Sequence, residues 1–254
     1  MKTVVVFTLA TLAAAAVPLA AQAPAAPQTL DRDVSWKQML PNIVADQAHI
    51  WTFPAKLVRG EDILPTAIVL GGTAAFVASD PSSGRYFRRT NSFSGFNNVF
   101  TSNATAIGTA VVPAAFYAVG LARHDTYAQH TALFVGEAVA DSEILTTVFK
   151  TSTRRLRPST FAPNTPMGDT WFESPGSVLG RGSFTSGHSI AAFSVATVFA
   201  RRYPHHRWVP YVAYGLAATV AFSRVTRSAH FPSDVFLGGA LGYSISRFTV
   251  LGGK

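Results

Sequence analysis

From Asp62 onward the chain repeats one rhythm: a long apolar run, then a polar link rich in Gly, Pro, Asn or charge. The runs predict helices over Ile63–Ser79, Ala104–Ala122, Tyr127–Lys150, Ser186–Arg201, Trp208–Ser223 and Ser233–Val250. Breakers separate them at Pro81–Gly84, Asn91–Asn98, Pro158–Gly182 and Pro204. Pro65 falls in the first turn of the first helix, where its missing N–H costs nothing. No stretch alternates cleanly enough to compete as a strand. Six helices joined by long links indicate an all-α fold built on a six-helix core bundle.

The N-terminal part follows another pattern. Lys2, the apolar stretch Val4–Val17 and the small-x-small triplet Ala21-Gln22-Ala23 read as a cleavable signal peptide over residues 1–23. Pro24 would follow that cut directly, so cleavage after Ala21 or Ala25 is an alternative, and an uncleaved anchor is another. Residues 24–60 begin with an Ala/Pro-rich tether, Pro24–Gln28. Thr29–Gly60 then carries mixed charge with Trp36, Trp51 and Phe53, as one or two short helices packed on the main body would. Residues 61–254 form the helical domain. The expected location is the periplasm, or the medium after secretion.

Hydropathy leaves the relation to a membrane open. A spanning helix needs about 20 apolar residues, and Thr101–Ala122 alone reaches that length without a charge. Leu64–Ser79 and Trp208–Ser223 offer 16 uncharged residues each. The helix Tyr127–Lys150 carries Glu137, Asp141 and Glu143, which lipid would penalise. Glu137 and Asp141 share one face, either toward solvent or as a buried polar stripe. These features favour a periplasmic domain, soluble or membrane-associated, over an integral protein with six spans.

Composition narrows the partners. The 254 residues carry a net charge of +8, which favours anions such as phosphates or anionic lipid. No aromatic–basic interleaving or recognition-helix pattern accompanies that charge, so nucleic acid is not an expected partner. There is no Cys, which excludes disulfides and thiolate metal sites. Oligomeric state has no signature here.

The chemistry gathers at Gly182–Ser189, GSFTSGHS, which runs straight into the apolar stretch Ile190–Ala200. A helix N-terminus offers unpaired N–H groups and partial positive charge to an anion. Gly187 allows close approach to the backbone, and His188 adds a titratable group at the same place. Two further blocks flank it. Upstream, Lys150 precedes Arg157–Pro158 with six residues between; downstream come Ser223–Arg224, five residues, His230, three residues and Asp234. The series K-x6-RP, SGH, SR-x5-H-x3-D resembles the signature of the type 2 phosphatidic acid phosphatase superfamily, over roughly residues 130–250. That superfamily also holds the class A acid phosphatases and the vanadium haloperoxidases. In one departure, Thr185 stands where the family pattern has Pro, and altered loop stiffness with an intact site is expected.

The resemblance implies a helical bundle of the lipid phosphatase/haloperoxidase type and a metal-independent phosphatase. Its substrates would be phosphate monoesters or pyrophosphates, on phosphatidic acid, isoprenyl pyrophosphate or small soluble molecules. Lys150, Arg157 and Arg224 would cradle the phosphoryl group with the Ser186 and Gly187 N–H groups and the Ser186 hydroxyl. His230 would be the nucleophile, forming a phosphohistidine, and Asp234 would fix its tautomer. His188 would serve as general acid and then as base. No cofactor is expected; vanadate would enter only in the alternative of a vanadate-dependent haloperoxidase, whose known members are generally longer. A catalytically silent membrane-associated binding protein is the other alternative, disfavoured because no catalytic position is missing. Zinc on His188, His230 and Asp234 fits by ligand type but not beside so many cations. Arg154, Arg155, Arg201 and Arg202 read as surface cations, and His49, His124, His130, His205 and His206 as solvated or packing residues. Pro158–Arg181, with Trp171 and Phe172, would rim the mouth.

Overall fold

A computed structural model describes residues 32–174 and 181–252. The signal peptide, the tether to Gln28 and part of the Pro158–Arg181 link lie outside the described residues. Eight α-helices follow in chain order: α1 (Met39–Val58), α2 (Ile63–Arg89), α3 (Ser94–Val99), α4 (Ser102–Ala122), α5 (Thr126–Thr153), α6 (Gly187–Arg202), α7 (Trp208–Thr226) and α8 (Pro232–Ser244). A 3₁₀ turn, Pro158–Thr160, follows α5, and a π-helical segment, Ile245–Val250, extends α8. Among the described residues there is no strand, and the fold is all-α.

Local chemistry explains where the helices begin. Thr101 Oγ1 accepts the Ala104 N–H at 3.1 Å, and Asp125 Oδ1 accepts the Ala128 N–H at 3.0 Å, so each caps orphan donors of α4 and α5. α8 opens with Pro232, and Asp234 accepts the Phe231 N–H at 2.8 Å. α5 ends at Arg154, which takes a left-handed conformation (φ 42°).

α6 is the hub. It packs against α4, α5, α7 and α8, and residues on every side of it are buried, from Ile190 and Ala191 to Val198 and Ala200. Phe134 and Val135 of α5, Ile190 and Val198 of α6, and Ile245 and Val250 of the last segment form the main core. Burying each such side chain contributes about 1.5–3 kcal/mol. The α6–α8 crossing is closer than side chains allow: a Cβ on Gly242 would lie 2.2 Å from the Ile190 carbonyl oxygen. Only glycine fits there. The crossing fixes the start of α8 beside the start of α6, so the second and third sequence blocks meet.

Several expectations need correction. Pro81–Gly84 is not a break, because α2 runs through it to Arg89. Interior Pro removes one backbone hydrogen bond, but side-chain contacts of the neighbouring Asp80, described below, anchor the chain there. Most of the short α3 falls in Asn91–Asn98, and Thr29–Gly60 holds one 20-residue helix, α1. Glu137 and Asp141 form a buried polar stripe: both are fully buried against α1. Arg32 ion-pairs with Asp46 and Glu137, Asn42 donates to Glu137 at 2.8 Å, and Gln47 donates to Asp141 at 2.8 Å.

α2 and α4 are long and apolar enough to cross a membrane, and α2 is the longer because it absorbs the expected break. Both expose their apolar side chains, among them Leu64, Ile68 and Leu70 on α2 and Ile107, Val111 and Leu121 on α4. A core helix of a soluble protein would bury such residues.

Candidate active site

The three sequence blocks converge at the N-terminus of α6. Ser186 caps this helix, its hydroxyl oxygen accepting the Ser189 N–H at 3.4 Å and the Ser189 hydroxyl at 3.0 Å. The Ser186 N–H donates to the Asp234 carbonyl at 3.0 Å. That corrects one expectation: this amide is committed to holding α8 and is not open to a phosphate. The first-turn amides of Gly187 and His188 have no intrahelical acceptor and remain for an anion. Thr185 is buried with its hydroxyl unpaired, and the cap is Ser186 rather than Thr185.

Lys150, in the last turn of α5, reaches this point: its Nζ lies 3.4 Å from where a Cβ on Gly187 would sit. A side chain at Gly187 would therefore fill the space between helix start and ammonium. Arg157 leaves the extended link after α5 and touches the Gly182 carbonyl at 3.4 Å. Arg224, in the last turn of α7, is fully buried and donates to Ser102 Oγ at 2.9 Å and to the Phe100 carbonyl at 2.6 Å. Burial pushes Lys150 and Arg157 below their ordinary values, and for Lys150 the Arg157 charge adds to the effect. Such desolvated cations gain much from a dianion that joins them.

His230 is almost fully buried. Its Nδ1 lies 2.8 Å from the Ser183 carbonyl and 3.6 Å from Asp234 Oδ2. The shorter contact, to a carbonyl that only accepts, fixes the proton on Nδ1 and leaves the Nε2 lone pair free. The expectation that Asp234 fixes the tautomer is corrected: the Ser183 carbonyl makes the shorter contact and fixes it, and Asp234 supplies nearby negative charge. The Ser183 hydroxyl in turn donates to Asp234 Oδ2. Burial pushes His230 below the usual imidazole range, against the pull of Asp234. Burial alone would raise Asp234; the His230 ring, Arg155 and Ser183 outweigh it and hold the carboxyl low.

His188 points its Nε2 at the Ser102 carbonyl, 3.0 Å away, so that nitrogen carries the proton and Nδ1 is the one that titrates. Burial, with the Arg224, His230 and Lys150 charges, pushes its pKa down to about 4. Ser102 thus joins the two halves of the site, accepting from His188 through its carbonyl and from Arg224 through its hydroxyl.

All eight expected residues belong to this one region, and the structure adds others. Glu143 is exposed as a residue, yet both carboxylate oxygens lie 3.4 Å from the Gly187 Cβ position, beside Lys150. Burial of that carboxylate raises its pKa, opposed by Lys150. Arg155 is not a surface cation: it is 2% exposed and ion-paired to both Asp80 and Asp234. Arg202 is buried too, donating to Thr131 Oγ1 at 3.1 Å and lying 3.9 Å over the Tyr127 ring. Nothing local in the sequence distinguished Arg155 from Arg154 and Arg157; the carboxylates that pair with it lie 75 and 79 residues away in the chain. His124 and His205 are exposed and away from the site. Trp171 stacks on Arg155 at 4.2 Å, while Phe172 is exposed at the rim.

The sequence profile of the PAP2 superfamily matches residues 131–253, the segment that carries all three blocks. This region of the chain is similar to the PAP2 superfamily. Over 61 residues the chain is 36% identical to the lipid A 1-phosphatase of Porphyromonas gingivalis, which is 24% of this chain and 14% of that protein's length. A crystal structure of a transmembrane PAP2-type phosphatidylglycerolphosphate phosphatase from Bacillus subtilis aligns with a TM-score of 0.42 at 21% identity, covering 83% of this chain and 94% of that one. The matched segment holds most of α5 and all of α6, α7 and α8, whereas Asp80 and Ser102 reach the site from helices before it.

Proposed function

We propose that the chain is a metal-independent phosphatase that cleaves phosphate monoesters or pyrophosphates through a phosphohistidine, acting on phosphorylated lipid. The observation that carries this reading is the convergence of three cations, a free-amide helix start and two imidazoles held in different tautomers. Lys150, Arg157 and Arg224 neutralise the phosphoryl oxygens, with the Gly187 and His188 amides and the Ser186 hydroxyl completing the cradle.

The His230 Nε2 lone pair attacks phosphorus as the bond to the leaving oxygen breaks with its electron pair. His188 gives that oxygen a proton from Nδ1. Water then attacks phosphorus, His188 takes its proton, and the P–N bond breaks to return neutral His230 and inorganic phosphate. The ring of the phosphohistidine carries positive charge while Nδ1–H stays on the Ser183 carbonyl, and Asp234 offsets it. The exposed apolar faces of α2 and α4 support a lipid substrate, because both helices border the site, through Asp80 and Ser102. These two helices would sit in a membrane, with the cradle open to the periplasmic side.

The test uses the full chain, purified in detergent with EDTA, and follows phosphate release from phosphatidic acid, an isoprenyl pyrophosphate and p-nitrophenyl phosphate. Release from the lipid substrates at higher kcat/KM than from the aryl phosphate supports the reading. No release from any of them, with halide oxidation in vanadate and peroxide, would replace it by the haloperoxidase alternative.

A further inference from the structure

Behind the His230–Asp234 pair lies a buried ionic chain that the reaction described above does not use. Arg155 Nη1 donates to Asp234 Oδ1 at 2.6 Å and to Ser233 Oγ at 2.7 Å. Its Nη2 donates to Asp80 Oδ2 at 2.7 Å and its Nε to Thr170 Oγ1 at 3.2 Å. The guanidinium lies between the Trp171 and Phe231 rings, 4.2 Å from each centroid. Asp80 also accepts the Ser233 N–H at 3.2 Å and the Ser233 hydroxyl. Arg155, Asp80 and Asp234 are each at most 2% exposed. No charged residue precedes Asp80 in α2, so Asp80 is the first charge along that helix.

Burying three charges rarely stabilises a protein more than apolar packing would. Their arrangement has an electrostatic consequence for the ring next to them. Asp234 alone presents one negative charge to His230, and a fully paired Arg155 would cancel it. Asp80 restores it: the three formal charges, −1, +1 and −1, sum to −1. The cationic ring of a phosphohistidine then faces a net negative group that Arg155 holds in one orientation.

We propose that Asp80 and Arg155 are positioning residues of this phosphatase: Arg155 orients Asp234, and Asp80 keeps the group behind His230 net negative. The proposal rests on the phosphatase reading above. Other charged or titratable groups act on His230 from neighbouring elements: Lys150 at the end of α5, Arg157 in the link and His188 on α6. None of these changes in the variants below, so a shift in the titration of His230 reads the ionic chain.

The test follows the acid limb of kcat, where His230 must lose its proton to attack. Asp80→Asn, making the set neutral, should move that limb down by about one pH unit and lower the plateau about tenfold, with KM within about twofold. Arg155→Met, making it doubly negative, should move the limb up by a similar amount. The double variant Asp80→Asn/Arg155→Met returns the sum to −1 and should restore the limb. A merely structural role gives no such opposed and cancelling shifts. Limbs that stay at the wild-type pH in the variants that fold would overturn the proposal, even if activity falls with melting temperature. Should one single variant not fold, the other single variant and the double still decide, because each has its own expected direction. A wild-type chain that releases no phosphate fails the phosphatase reading instead, and that outcome is seen before any variant is made.

Discussion

The depressed pKa of His188 makes a quantitative prediction. In the empty site it titrates at about 4, so at pH 7 only about one molecule in a thousand carries the proton the leaving group needs. Bound substrate must reverse this. A unit of phosphate charge about 4 Å away, at an effective dielectric constant of about 20, contributes roughly 4 kcal/mol. At 1.36 kcal/mol per unit that is about three units, so His188 should titrate near pH 7 in the complex. Activity requires His188 protonated, so rate falls as pH rises through its pKa. Expressed per dianionic substrate, kcat/KM should fall tenfold per unit above about pH 4, while kcat holds until about pH 7. Steady-state kinetics on an alkyl phosphate between pH 4 and 9 would measure both limbs. His188→Ala should lose about 10²–10⁴-fold in kcat for that substrate and lose the alkaline limb. The reasoning is refuted if the two limbs coincide, or if the alkaline limb survives in His188→Ala.

Other predictions are simpler. Activity should persist in EDTA, since side chains and a helix start supply every charge; loss restored by zinc or magnesium would contradict this. Millimolar vanadate should inhibit, because its five-coordinate form matches the transition state the cradle favours, and indifference to it would count against the site. Gly242→Ala should destabilise the fold by roughly 1–3 kcal/mol or more, because its Cβ meets the Ile190 carbonyl at 2.2 Å; an unchanged melting temperature would show that α6 and α8 can separate. The chain should stay in the membrane fraction through a carbonate wash until detergent is added, and its release by carbonate would show that α2 and α4 are not embedded.

The helices and the three blocks were legible because their signals are local. Apolar runs, the small-residue turn before α6 and Pro232 at the start of α8 each act within one or two turns of chain. The failures concern contacts between distant residues. Ser102 meets Arg224 across 122 residues of sequence, and Arg32 meets Glu137 across 105. Nothing near Glu137 told a solvent-facing stripe from a buried one. Arg155 and Arg157 have the same side chain two residues apart, and only folding decides that one meets Asp234 and Asp80. Pro81 read as a breaker for a sound local reason, which the ties of Asp80 to Arg155 and Ser233 override. Glu143 entered the sequence reading only as an acid that lipid would penalise, and its place beside Gly187 follows from the packing of α5 on α6.

The central claim is that phosphate passes through His230. The most direct measurement is rapid-quench trapping of ³²P-labelled phosphate on the full chain and its variants, with an aryl phosphate whose departure needs little protonation. The wild type should show a transient acid-labile phosphoenzyme. His230→Ala should show none, and His188→Ala should accumulate it, because the water that resolves it has lost its base. Label that persists on His230→Ala, or fails to build up on His188→Ala, would contradict the assignment of the two histidines.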